Sequence, residues 1–394
     1  MNKAPLTHLG DMPVDVFLRD YWQKKPVVIR NALPDFEPLL SADELAGLSC
    51  EEEVESRLII GEREGQDWQL LHGPFDDDTF SSLPEDRWTL LVQAVDHWLP
   101  EAADFLDQFR FIPRWRMDDL MISYAVNGGG VGAHYDNYDV FLVQAEGVRR
   151  WEVGGLFDSR SALKPNLPVK IVADWQPEEV YDLNPGDILY LPPCVGHNGI
   201  AVGDDCVTYS VGFRAPSVQE ILRDFTDYVG ERLLPEQRYA DQNLPLQANS
   251  AEITADAVQR LQTLLEEVVS NKENLAQWFG KAMTEPKYAE MDLAPEEEMG
   301  ADTLLEWLEQ GAILRRTDSS RFAWTEVGDG GVTLFADGAA FPCPPQSAAF
   351  VKALCHEREF DLQQLQDGLA ESANQAILQI LYNQGSLYLE NIDF

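Results

Sequence analysis

His134-Tyr135-Asp136 sets an imidazole and a carboxylate one residue apart, and His197 brings a second imidazole 61 residues beyond Asp136. The first pair follows the turn Gly128-Gly129-Gly130-Val131-Gly132-Ala133, and the second histidine closes Leu191-Pro192-Pro193-Cys194-Val195-Gly196. On neighbouring strands, two histidines and one carboxylate take one face of an octahedral iron(II) ion and leave the other face open for co-substrates. Zinc accepts the same donors, and spacing alone does not separate the two metals. Iron(II) is preferred because the surrounding pattern is that of a strand-rich jelly roll. The alternative for Asp136 is a turn cap.

Arg149 is the next residue with chemistry to offer. An arginine fork binds a carboxylate through two hydrogen bonds, so it suits the distal carboxylate of a dicarboxylate co-substrate. Strand alternation puts Arg149 on the same face as Trp151 and its neighbour Arg150 on the opposite one, where a surface arginine belongs. The same parity groups Asp119, Met121 and Ser123, then His134, Asp136 and Tyr138, then Thr208 and Ser210. Each strand thus offers one polar face and one apolar face. A barrel lumen lined by the polar faces is a pocket rather than a packed core. Ser123 can add a hydroxyl to the carboxylate that Arg149 holds.

These residues need a scaffold, and the chain has three regions of different period. The first, 1–215, opens with an expected helix over 14–22 and a strand over 26–29. Serial short strands follow at 120–126, 138–144, 148–153, 169–172, 187–191 and 206–214, divided by Gly, Pro, Asn and Asp. That pattern predicts a sandwich or barrel. The second region, 216–298, shifts to helical spacing, with Val218, Ile221, Leu222, Phe225 and Val229, then Val258, Leu261, Leu264, Leu265 and Val268. Its apolar faces suit packing on the barrel or across a dimer, and 285–300 reads as a linker. The third region, 299–394, mixes short helices and strands, as a small winged-helix-like unit does. The fold class expected is therefore α+β.

Composition sets outer limits. The 394 residues call for two or three domains. The start, Met1-Asn2-Lys3-Ala4-Pro5, has no apolar stretch of a signal peptide, and no apolar run is long enough for a membrane span, so a cytoplasmic protein is expected. Five scattered cysteines without a CxxC pair argue against a disulfide framework or a cysteine zinc site. A formal net charge of −39 argues against direct nucleic-acid binding and favours encounter with a basic partner, although solubility alone also accounts for it.

The segments Asp119-Leu120-Met121-Ile122-Ser123, Gly130 through Phe141, Arg149-Arg150-Trp151, Pro185-Gly186-Asp187-Ile188-Leu189-Tyr190 and Tyr209 through Pro216 resemble the JmjC-type ribosomal oxygenases. The bacterial branch that hydroxylates an arginine of a large-subunit ribosomal protein, the sixteenth in the usual series, is the most similar. The resemblance implies a double-stranded β-helix (jelly-roll, cupin) barrel, then a helical dimerisation region, then a winged helix. It implies iron(II) on His134, Asp136 and His197, with 2-oxoglutarate on Arg149 and Ser123 and O2 as second co-substrate. It implies a substrate arginine, hydroxylated at its β-carbon, among Asp119, Met121, Tyr138 and Ser210. A basic ribosomal protein and a second copy of the chain are the implied partners. Two alternatives stay open: a histidine hydroxylase of the same fold, which would want neutral amides where Asp119 stands, and a non-catalytic cupin-like metal-binding module. Cys194 departs from the family pattern and lies near the iron ligands in sequence.

Overall fold

The chain divides after Ala215 into two compact units, Met1–Ala215 and Pro216–Phe394. The computed structural model describes residues 4–291, 293–328 and 330–390, so Met1, Asn2 and Lys3 of the N-terminal reading and Asp292 of the linker reading lie outside it.

The first unit begins with a ribbon of β1 (His8–Leu9) and β2 (Met12–Pro13), then α1 (Val14–Asp20) and β3 (Val27–Ile29). Next come α2 (Ala42–Leu48), β4 (Ser56–Ile60), β5 (Gln69–His72), α3 (Asp77–Ser81), β6 (Trp88–Val92) and α4 (Pro100–Asp107). The barrel strands β7 (Met117–Ala125), β8 (Val140–Leu156), β9 (Glu179–Leu183), β10 (Ile188–Leu191) and β11 (Val195–Phe213) follow. The sheet runs β3-β10-β8-β11-β7-β6-β4-β5, with β9 added on β8. All of these pairings are antiparallel.

Each strand separates two cores. Phe141, Val143, Tyr190, Tyr209, Val211 and Phe213 point outward, where they meet Phe17 of α1 and Phe105 of α4. Val140, Leu142, Trp151, Val153, Leu189 and Val195 point inward. Alternate residues take opposite faces because the pleat has a period of two. Burying each of these large side chains contributes about 1.5–3 kcal/mol.

Two expected strand boundaries are not strand ends. The runs 138–144 and 148–153 merge into the 17-residue β8, and 206–214 extends back to Val195 within the 19-residue β11. Gly147 and Gly203 have positive φ, and the register between the two strands shifts between Val202 and Val207. The turn residues therefore form a bulge that bends two continuous strands together. The expected strand at 169–172 is absent from the named strands. Only an isolated bridge, Leu163 to Val172, forms there, and Ile171 instead covers Gly132.

The second unit holds α5 (Val218–Gly230), α6 (Ala255–Val269), α7 (Lys272–Thr284) and α8 (Ala301–Glu309). Strands β12 (Ile313–Arg316), β13 (Phe322–Glu326), β14 (Val332–Ala336) and β15 (Ala339–Cys343) come next. Helix α9 (Ala348–His356), β16 (Glu359–Phe360), α10 (Leu362–Leu369), α11 (Ser372–Asn383) and β17 (Leu387–Glu390) complete it. Its sheets are β16-β12-β17 and β13-β14-β15, around a core that includes Leu304, Leu314, Val351, Leu354 and Leu381. The sequence groups 272–284 with the preceding helices. In the fold, α7 packs on β13, β14 and β15, and Gln277 Nε2 donates to Thr333 Oγ1 at 3.1 Å. Gly280 makes that approach possible, since a Cβ there would lie 2.3 Å from the Phe335 ring.

Candidate metal centre

The glycine-rich turn and the end of the barrel strands bring the three candidate ligands together. Gly130 lies so close to Gly199 that a Cβ would stand 2.3 Å from its carbonyl oxygen. This close approach lets His134 and His197 bridge through two backbone hydrogen bonds, of 2.9 and 2.8 Å. The peptide N–H of Cys194 donates to the Asp136 carbonyl at 2.6 Å, fixing the second strand end against the first. Cys194 holds φ at +69°, a sparsely populated conformation for a residue with a side chain, and its thiol is half-buried.

Donor atoms of His134, Asp136 and His197 all lie within 4.8 Å of one another. Asp136 Oδ2 is 3.8 Å from His134 Nε2 and 3.6 Å from His197 Nε2. Each Nδ1 faces a backbone carbonyl: His134 toward Gly132 at 2.9 Å, His197 toward Val195 at 3.1 Å. A carbonyl only accepts, so each ring carries its proton on Nδ1 and turns a lone pair on Nε2 toward Asp136. Burial, then the neighbouring His134, push His197 down to about 4, which keeps that ring neutral near pH 7. Two imidazoles and a carboxylate, oriented from behind, form a donor set suited to a divalent metal.

Arg149 is 4% exposed, and its Nε and Nη2 have no hydrogen-bond partner. Its guanidinium lies 5.7 Å from the centroid of the Trp151 ring, which in turn lies 5.9 Å from that of His197. A buried cation without a counter-charge is costly, so this one needs an anionic ligand. Arg150, on the opposite face, makes a two-pronged pair with Asp182 at 2.8 Å for each bond, out in solvent. Ser123 is 4% exposed, with its hydroxyl donating to the Thr208 carbonyl at 3.3 Å.

Asp119 is also 4% exposed. Its Oδ2 accepts from Gln93 Nε2 at 2.5 Å and from the Ala94 N–H at 3.0 Å. Met121 and Ser210 are directly paired across β7 and β11, and both are half-buried. Tyr138 is 42% exposed as a residue. Its hydroxyl is pushed up, first by burial, then by the charges of Asp136 and Asp119, so it stays protonated.

All nine residues singled out from the sequence thus belong to the barrel unit. Sequence reasoning missed three side chains of the same lining. Gln144 is fully buried, accepting from Thr208 Oγ1 at 3.0 Å and donating to the Glu146 carbonyl at 2.7 Å. Gln93 and Arg57 flank Asp119 from the β4 and β6 side. Parity along 56–60 and 88–92 was the available signal for the last two.

The family profile described as "JmjC domain" matches residues 104–221, and one described as "ROXA-like winged helix" matches 263–388. The chain is 38% identical over 378 residues to the Escherichia coli "Ribosomal protein uL16 3-hydroxylase", covering 95% of this chain and 97% of that protein. It is 36% identical over 322 residues to a "Probable ribosomal oxygenase" of Haemophilus influenzae, covering 79% and 78%. The structure of the Escherichia coli ribosomal oxygenase YcfD in complex with cobalt and 2-oxoglutarate superposes with a TM-score of 0.85, at 35% identity, over 98% of this chain and all of that one.

Proposed function

The chain belongs to the JmjC-domain ribosomal oxygenases, and from that premise we propose that it hydroxylates the β-carbon of an arginine in ribosomal protein uL16. It is an iron(II)- and 2-oxoglutarate-dependent dioxygenase. The observation that carries the reading is Arg149, a buried guanidinium with unpartnered nitrogens beside a two-histidine, one-carboxylate cluster.

His134, Asp136 and His197 would hold the iron, and the carbonyls of Gly132 and Val195 fix the orientation of both rings. When bound, the metal couples decarboxylation of 2-oxoglutarate to succinate and carbon dioxide with insertion of one oxygen atom of O2 into a C–H bond. Arg149 takes the distal carboxylate of 2-oxoglutarate as a fork, with the Ser123 hydroxyl beside it. Asp119 pairs with the substrate guanidinium, while Met121, Tyr138 and Ser210 cover its aliphatic stem. Holding the guanidinium away from the reacting carbon fixes that carbon in place, which is how positioning lowers the barrier. A formal net charge of −39 steers a basic ribosomal protein toward the enzyme, in the cytoplasm where ribosomes are made.

A second copy of the chain completes the assembly. Helix α6 has no buried residue, and Val258, Leu261 and Leu265 on it and Val218 and Leu222 on α5 are exposed. Exposed apolar residues at helical spacing of that kind call for a protein partner. Light scattering should give a dimer, and Leu261→Glu with Leu265→Glu a monomer.

Mass spectrometry of uL16 after incubation with enzyme, iron(II), ascorbate and 2-oxoglutarate tests the activity. The expected result is a gain of one oxygen on an arginine, absent with His134→Ala. Gain on a histidine would replace the substrate assignment, and 2-oxoglutarate turnover without any gain on uL16 would discard it.

A further inference from the structure

Arg57 lies on β4 opposite Leu91 of β6, and Leu91 lies opposite Ser123 of β7. Arg57 is thus in the same lateral row as Ser123, two strands and about 10 Å away. Gln93 shares the parity of Leu91 and continues past the end of β6, its N–H donating to the Glu55 carbonyl at 2.9 Å. Next to it, Ala94 is fully buried with φ at +50°, a left-handed turn that aims its N–H at Asp119 Oδ2. One carboxylate oxygen therefore receives two neutral donors, Gln93 Nε2 and Ala94 N–H. The other end of the Gln93 amide accepts from Arg57 Nη2 at 3.2 Å. Among the described residues, Arg57 makes no other side-chain hydrogen bond and no ion pair.

A cation and a carboxylate held this near each other in a barrel wall would normally close into an ion pair, which low polarity strengthens. Here a neutral amide stands between them, satisfying each. We propose that Gln93 is a positioning residue that spaces Arg57 from Asp119, keeping that carboxylate oriented for a cationic side chain of the substrate. The inference rests on Asp119 as the partner of the substrate guanidinium. A direct Arg57–Asp119 pair would compete with that guanidinium, whereas the amide passes on orientation without supplying a competing charge.

The test uses the full-length iron enzyme and a uL16 peptide containing the target arginine, with Gln93→Leu, Arg57→Met and the double variant. Gln93→Leu should raise KM for the peptide about tenfold, the equivalent of one lost hydrogen bond to a charged group, and change kcat less. Adding Arg57→Met to it should bring KM most of the way back, because the competing cation is gone. A prop with no spacing role would show no such rescue: a double variant as weak as Gln93→Leu, or a Gln93→Leu variant with unchanged KM, overturns the proposal. Should Gln93→Leu fail to fold, judged by cobalt binding, Gln93→Asn takes its place with the same expectation. Asp119→Asn separates the underlying reading. If that variant hydroxylates the arginine peptide as well as wild type does, Asp119 is not the guanidinium partner, whatever the Gln93 series gives.

Discussion

The two faces of the barrel sheet are made by the same strands, yet they follow opposite rules. The outward face is aromatic and aliphatic: Phe141, Tyr190, Tyr209 and Phe213 pack on Phe17, Phe105 and Phe109, with ring centroids 4.9–5.7 Å apart for several pairs. The inward face buries Asp119, Ser123, Gln144, Arg149, His197 and Thr208 as deeply. Outside, burial stabilises the fold. Inside, burial of charge costs stability, a cost that the ligand proposed above would offset. The polar atoms left without a partner, above all Nε and Nη2 of Arg149, therefore carry more functional information than the satisfied ones.

Substitutions on the two faces should separate these roles. His134→Ala, on the inward face, should reduce hydroxylation to background and abolish cobalt binding measured by absorbance, with little change in thermal midpoint. Phe141→Ala, on the outward face, should do the reverse. It should cost about 3–5 kcal/mol in denaturant unfolding, as other large core truncations do, and leave cobalt affinity of the folded protein intact. If Phe141→Ala weakened the metal site while leaving stability alone, the division between faces would fail.

Arg149→Met sharpens the comparison further, because it removes an inward charge while keeping bulk. The KM for 2-oxoglutarate should rise by about 10–100-fold, the range for a lost charge-assisted contact. The thermal midpoint without co-substrate should be no lower than wild type, since a buried unpaired cation has been removed. A clear drop in that midpoint would mean that Arg149 stabilises the resting fold and is not kept in waiting for a carboxylate.

The division between faces was legible in the sequence because strand parity needs no tertiary knowledge. Asp119, Met121 and Ser123 could be grouped from their spacing, and so could Arg149 with Trp151. The unread parts depend on pairing between distant segments. The Gly147 and Gly203 regions look like turns in sequence, but across from each other they form a bulge, with a register shift, within β8 and β11. Parity along β4 and β6 marks a face, but the sequence does not disclose that these strands pair beside β7, so the flanking of Asp119 by Arg57 and Gln93 is not legible there. Helix α7 looks like its neighbours in sequence, and only contacts between distant segments, the Phe335 ring against Gly280 and Gln277 on Thr333, tie it to the C-terminal sheet.

Arg149 and Arg150 give the smallest and cleanest contrast, since they are consecutive, chemically identical and on the same strand. Arg150 is half exposed and already paired with Asp182, itself in solvent. An exposed ion pair loses most of its attraction to screening and to side-chain entropy. Arg150→Ala should therefore leave the KM for 2-oxoglutarate, the hydroxylation rate and the thermal midpoint without resolvable change. Only the direction of one Cα–Cβ bond distinguishes its outcome from that of Arg149→Met. Were Arg150→Ala to raise the KM for 2-oxoglutarate as Arg149→Met does, a general positive potential at the barrel would be recruiting the co-substrate. The fork geometry assigned to Arg149 would then lose its ground.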